Sequence, residues 1–149
     1  MSCYHRILVA LDGSADASAA LRHAVDLARD QNALMTLLTV SPSQPTPVGA
    51  GTSAPPDLHC FHEKLLREAT DSIPADIGVR TRLERGNPAE TILRIAAGHD
   101  LVVMGSHGHS RVHRALLGSV SERVLKGSTV PVLLMREDAP APVAVERTA

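Results

Sequence analysis

Apolar residues along the chain fall into two alternating patterns. Short, near-continuous runs stand at His5–Leu11 (HRILVAL), Leu34–Val40 (LMTLLTV), Asp100–Met104 (DLVVM) and Val130–Met135 (VPVLLM). Runs of this kind suit strands buried on both faces, as in a parallel sheet. Asp76–Glu84 alternates instead, through Ile77, Val79, Thr81 and Leu83, and reads as a half-exposed strand near a sheet edge. Between these runs the spacing turns helical. Ser14 to about Gln31 carries Ala17, Ala20, Leu21, Ala24, Leu27 and Ala28 on one face, and Asp57–Ser72 restores the same spacing through Leu58, Phe61, Leu65, Leu66 and Ala69. Asn87-Pro88-Ala89-Glu90 is a helix start, with Asn87 as cap, Pro88 at the first helical position and Glu90 placed to close a capping box. That helix turns Ile92, Ile95 and Ala96 inward, and Gly98 is its expected stop. Ser119–Lys126 predicts a short fourth helix with Val120, Val124 and Leu125, ended by Gly127.

The order is β-α-β-α-β-α-β-α-β. Such alternation with short connections predicts an α/β fold, a doubly wound five-stranded parallel sheet with helices on both faces. One domain over 1–149 is expected, with its core in 4–137. Residues 41–56 hold Pro42, Pro45, Pro47, Pro55 and Pro56 and are expected to be a surface loop. Residues 138–149 form a Pro/Ala tail with little to bury.

Composition narrows the function. Among 149 residues, 15 Lys+Arg face 16 Asp+Glu, so a nucleic-acid-coating surface is not expected. Tyr4 and Phe61 are the only aromatic residues, too few for a base-stacking platform. No run approaches the roughly 18 apolar residues of a membrane span, and the first residues lack the apolar segment of a signal peptide. A soluble cytoplasmic protein is expected, with Cys3 and Cys60 as reduced thiols.

In doubly wound sheets ligands bind beyond the carboxyl ends of the strands, where strand order reverses. Two such ends carry unusual residues: Asp12-Gly13-Ser14, and Gly105–Ser119, GSHGHSRVHRALLGS. Glycines let backbone N–H groups approach a ligand, and Ser119 opens a helix whose N-terminal N–H groups and dipole favour an anion. A phosphate cradle and an ordinary capping box, Ser119-x-x-Glu122, fit this spacing equally well. A serine serving both would cap the helix when the site is empty and turn to phosphate when it is filled. Asp-Gly after a strand is likewise either turn chemistry or a ligand-facing carboxylate.

The stretch G-x2-G-x9-G-S, from Gly105 through Gly108 to Gly118-Ser119, resembles the nucleotide-binding signature of the universal stress protein family. ILVALDGS, the segment GNPAETI, VVMGSHG, LLGSVSERVL and VPVLLMR agree with it in order, from Arg6 to Arg136. The resemblance implies strand order 3-2-1-4-5, a Rossmann-like sheet akin to that of the adenine-nucleotide α-hydrolases, and ATP as ligand. By that analogy Asp12 lies near the ribose and adenine end, flanked by Ala10 and Leu11, while Val40 meets the base through its backbone. Gly105, Gly108, Gly118, Ser119, Val120 and Ser121 hold the phosphates, with Met104 and His109 completing the set. A Mg2+ would be carried mainly by the nucleotide, with Asp12 as the single carboxylate. The implied assembly is a homodimer through the last strand, at Val130, Val132, Leu133, Leu134 and Met135, with tetramers open and an unidentified protein partner. Such an apolar edge is a hazard if left uncovered.

Other motifs carry less. There is no GxxxxGK[ST] and the only lysines are Lys64 and Lys126, so charge compensation falls to backbone N–H groups, a metal, Arg111, Arg114 or protonated His107 and His109, and rapid hydrolysis is not expected. GAGTSA at 49–54 matches a dinucleotide fingerprint but sits inside the Pro-rich loop. His107, His109 and His113 fall short of a closed four-ligand zinc site. No GxSxG elbow occurs. Two readings compete with a nucleotide-coupled regulatory protein: a dimeric interaction module independent of nucleotide, and an α-hydrolase, whose paired-glycine loop is replaced here by LDGSAD.

Overall fold

The computed structural model describes residues 3–43, 57–107 and 117–137, with residues 57 and 58 as backbone only. The elements run β1 (Arg6–Ala10), α1 (Ala15–Gln31), β2 (Leu34–Ser41), α2 (Asp57–Asp71), β3 (Val79–Arg85), α3 (Pro88–Ala96), β4 (Leu101–Gly105), α4 (Ser119–Gly127) and β5 (Val132–Met135). All pairings are parallel, in the order β3-β2-β1-β4-β5. The expected doubly wound sheet is the fold. The sequence expectations for residues 44–56, for Gly108, His109 and His113, for Arg111 and Arg114, and for the tail 138–149 lie outside the described residues.

Strand alternation divides the core into two layers. Ile7, Val9, Met35, Leu37, Leu101 and Val103 face α1 and α2, where they meet Ala20, Leu21, Ala24, Ala28, Leu66 and Ala69. Leu8, Leu38, Val102 and Met104 face α3 and α4, where they meet Ala89, Ile92, Ile95, Ala96 and Val124. The alanine-rich side of α1 lies close to the sheet because it presents little side-chain volume, and close packing takes the place of aromatic bulk. β3 keeps mostly exposed side chains, as its alternating sequence predicts for an edge.

Several local details differ from the expectations. β5 begins at Val132, leaving Val130 before the strand. Pro131 has no N–H to give the ladder, although its carbonyl accepts the Val102 N–H at 3.0 Å. Val130 is held in a turn, its N–H and carbonyl both bonded to Ser128 Oγ at 3.2 and 2.7 Å. The apolar edge is therefore four residues, all half-buried.

α3 does end at the predicted place, but its cap is Ala97 in right-handed conformation rather than a left-handed Gly98. At its start Asn87 Oδ1 accepts the Glu90 N–H at 3.1 Å, while the Glu90 carboxylate turns to Arg123 at 3.7 Å rather than closing the box. Gly127 is the last residue of α4, which is capped by Ser128.

Candidate cleft at the carboxyl ends of β1 and β4

A cavity of about 270 Å³ opens at the carboxyl ends of the central strands. The strands contribute Ala10 from β1, Leu38 and Val40 from β2, and Met104 and Gly105 from β4. Pro88 and Ile92 of α3 form one wall, and Leu117 to Ser121, at the start of α4, form the other. Leu11, Asp12, Ala17 and His107 complete the rim. Every described residue of the sequence-derived set lines this one space: Ala10, Leu11, Asp12, Val40, Met104, Gly105, Gly118, Ser119, Val120 and Ser121. Gly108 and His109 lie outside the described residues. Ala17, Leu38, Pro88, Ile92 and Leu117 were not anticipated. The apolar spacing marks Ala17, Leu38 and Ile92 as core positions, and nothing local distinguishes a core residue that ends at a cavity from one that does not, while Pro88 reads as the start of α3 and Leu117 as loop.

The two polar segments on the rim of the cleft are built differently. After β1, Asp12 Oδ1 accepts the Ser14 N–H at 2.9 Å, Gly13 takes φ 84°, and Ser14 caps α1 by accepting the Ala17 N–H at 3.1 Å. The Asp-Gly pair is thus turn chemistry, and the same half-buried carboxylate also borders the cavity.

In the segment after β4 the cap of α4 is Gly118 and not Ser119, and no side chain caps this helix. Ser119 is the first helical residue and exposed. A side-chain cap needs the extended backbone of the residue just before the helix, and here that position is Gly118. The first i→i−4 bond runs from Glu122 N–H to Gly118 O at 2.9 Å. The N–H groups of Ser119, Val120 and Ser121 precede it and have no intrahelical acceptor, which makes this end an anion-favouring one. The Ser121 hydroxyl is turned inward to Gly105 O and Ser106 O at 2.9 and 3.0 Å, so Ser121 offers the cleft its backbone and not its side chain.

Beneath the rim lies a buried polar hub that sequence reading passed over. Asp16 Oδ2 accepts from Ser106 Oγ at 3.0 Å and from His107 N–H at 3.1 Å, and Asp16 Oδ1 accepts from Glu137 N–H at 3.0 Å. His107 Nδ1 sits 3.0 Å from Ser106 Oγ and 3.4 Å from Asp16 Oδ2. Because the single Ser106 hydroxyl proton goes to Asp16, His107 Nδ1 carries the hydrogen in this arrangement. One carboxylate in the first turn of α1 thereby joins the ends of β4 and β5. Asp16 sits amid helical spacing 90 residues from Ser106, so only folding reveals it.

Gly105 has a structural reason of its own. A Cβ there would lie 2.8 Å from Ala17 N, 2.8 Å from Asp16 Cβ and 2.9 Å from the Asp16 carbonyl carbon. The first turn of α1 occupies the place of a side chain, and this contact, rather than approach of a phosphate, requires glycine. Gly118, at φ −72° and ψ 162°, adopts backbone open to any residue. Among the described residues no group of three or more His, Cys, Asp or Glu is placed to hold a metal ion, no buried side-chain N or O lacks a partner, and no helix is long and apolar enough to cross a membrane. Cys3 and Cys60 are free thiols.

Comparison with known proteins agrees with this architecture. The family model described as "Universal stress protein family" matches residues 3–136. Universal stress protein YxiE of Bacillus subtilis is 35% identical over 149 residues, covering 89% of this chain and 99% of its own length. Among solved structures, universal stress protein UspA from Lactobacillus plantarum superposes with a TM-score of 0.74 at 26% identity, over 91% of this chain and 100% of that one. A universal stress protein in complex with cAMP gives 0.70 at 27% identity, over 91% and 99%. The fold, the order of the motifs and these matches together place the chain in the universal stress protein family.

Proposed function

We propose that this protein binds ATP in the cleft and acts as a regulatory protein whose state follows nucleotide occupancy. The observation that carries the reading is one cavity that is apolar at one end and lined with helix-start N–H groups at the other. Adenine fits the aliphatic end at Ala10, Leu38, Val40, Ile92 and Met104, by apolar contact and backbone hydrogen bonds, without an aromatic sandwich. The phosphates fit the start of α4, where Ser119, Val120 and Ser121 present N–H groups and Ser119 adds an exposed hydroxyl. The complex of a related universal stress protein with cAMP supports a nucleotide of this class. Asp12 is the carboxylate placed for a ribose hydroxyl or for a Mg2+ carried by the phosphates. No lysine or arginine is among the described lining residues, so the phosphates are held mainly by backbone N–H groups rather than by a fixed cation, an arrangement that supports binding with slow hydrolysis.

The homodimer through β5 and residence in the cytoplasm belong to the same proposal. The half-buried β5 edge supports the first, and antiparallel pairing with a second copy would cover it. Equilibrium ATP binding by the wild type and by Gly118→Val tests the nucleotide reading. The backbone at Gly118 tolerates valine, so added bulk at the cleft should weaken binding tenfold or more, by the order of one lost charge-assisted hydrogen bond, while thermal unfolding falls only by the modest cost of a poorer helix cap. Absence of saturable binding at millimolar ATP would sink the reading and favour the nucleotide-independent dimeric module.

A further inference from the structure

The α3/α4 face of the sheet has a second opening, at its opposite end. β1, β2 and β3 pair in register Arg6↔Leu34 and Thr36↔Arg80, with Leu38↔Arg82 one step on. Alternation puts Arg6, Thr36, Arg80 and Arg82 on one face. α3 ends at Ala96, and the turn after it brings His99 to their level. Together they line a cavity of about 210 Å³ at the amino ends of the strands. We propose that this cavity is a second ligand site, separate from the nucleotide cleft, that takes a small phosphate-class dianion.

Three features support a site rather than a merely charged edge. First, the cations converge from separate elements, Arg6 from β1 and Arg80 and Arg82 from β3, and guanidinium groups suit bidentate contact with oxyanions. Second, local carboxylates neutralise them only in part, Glu84 by pairing with Arg82 and Asp100 by its charge beside Arg6. Glu84 is shared between Arg82 at 2.7 Å and Arg94 at 3.6 Å, and Asp100 Oδ2 accepts the backbone N–H groups of His5 and Arg6, each at 2.9 Å. Three lining arginines thus stand against two carboxylates, one of which is shared with Arg94 outside the cavity, and among the described residues Arg80 has no ion-pair partner. These pairs are exposed and weak, so a dianion competes with them readily.

Third, the floor is ordered and polar. Thr36 is buried and its Oγ1 lies 2.9 Å from His99 Nε2, while His99 Nδ1 donates to Ile95 O at 2.9 Å. The carbonyls at the end of α3, which would repel an anion, are already engaged: Ile95 O accepts the Gly98 N–H and Ala96 O the His99 N–H. On an edge strand, charge alone would suffice to discourage pairing with other chains. That purpose does not call for the inward-facing Thr36–His99 pair or for Arg6 on a central strand.

The test is an amide-shift titration of the full chain, with inorganic phosphate in one arm and phenyl phosphate, a monoester, in the other. Both arms use wild type, Gly118→Val and the double variant Arg6→Gln/Arg80→Gln. Saturable shifts at Arg80, Gly98 and His99 are expected in wild type and in Gly118→Val. Loss of two guanidiniums should weaken them tenfold or more, with the unfolding curve unchanged because both side chains are exposed. Tighter binding in the phosphate arm assigns free phosphate, and tighter binding in the monoester arm assigns an ester. Shifts confined to residues 118–121, shifts that never saturate, or shifts undiminished in the double variant would each overturn the site. The Gly118→Val arm separates this outcome from failure of the nucleotide reading.

Discussion

The two faces of the sheet are covered to different extents, and the difference locates both cavities. α1 and α2 have 17 and 15 residues, while α3 and α4 have 9 each. At 1.5 Å per residue the first pair spans about 22–25 Å and the second about 13 Å, against about 26 Å for the eight residues of β2. Long helices close one face from end to end. Short ones close only the middle of the other, so that its carboxyl end becomes the apolar cleft and its amino end the arginine-lined cavity. Helix length, a quantity set by caps and breakers, thus decides where the two cavities open.

The contrast breaks most sharply at Gly105. On the closed side its α-carbon is the surface on which α1 rests, so Gly105→Val should cost about 3 kcal/mol or more, read as a lower urea midpoint. Because α1 and the Asp16 hub move with it, cleft function should fall too. A substitution that lowered nucleotide affinity without loss of stability would show instead that Gly105 serves the ligand.

A smaller effect separates the faces directly. Leu37 is fully buried against the long helices. Leu37→Ala should cost about 3 kcal/mol, whereas Val40→Ala, half-buried at the cleft, should cost about 1 kcal/mol and show mainly in ATP affinity. Equal losses from both would erase the distinction between closed and open faces.

The smallest effect is a pH dependence on the closed side. His62 of α2 is buried beside Thr39, with Nδ1 2.7 Å from its Oγ1. Burial, and secondly the neighbouring His59, lower its pKa below the ordinary histidine value of 6.5. Between the lowered folded value and 6.5 the unfolded chain binds more protons, so stability falls as pH drops through that window and levels off below it. Unfolding midpoints measured across that window should show the slope in wild type and a flatter one in His62→Gln.

Much of this was legible in the chain. Apolar runs and helical spacing mark all nine elements to within a few residues, because each buried strand must be apolar on both faces and each helix on one. The largest boundary error, at β3, arose because Ile77 is buried just before the strand and continues its alternation without pairing. The cleft was legible as segments: the glycine and serine pattern after β4 and the Asp-Gly after β1 do meet. Their individual roles were not. Ser119 has the identity of a cap and not its position, Ser121 turns its hydroxyl inward, and Gly105 answers to a helix that starts 90 residues earlier.

The sequence by itself determined the kinds and order of elements, the parallel sheet and the family, since periodicity and motif order are local properties that burial enforces at each position. Only the tertiary structure decided that Asp16 joins the ends of β4 and β5, and that Arg6, Arg80 and His99 share one cavity. The physical reason is register. Contact across the sheet depends on which residues of distant strands lie abreast and on where a short helix stops, and neither is written in any single segment.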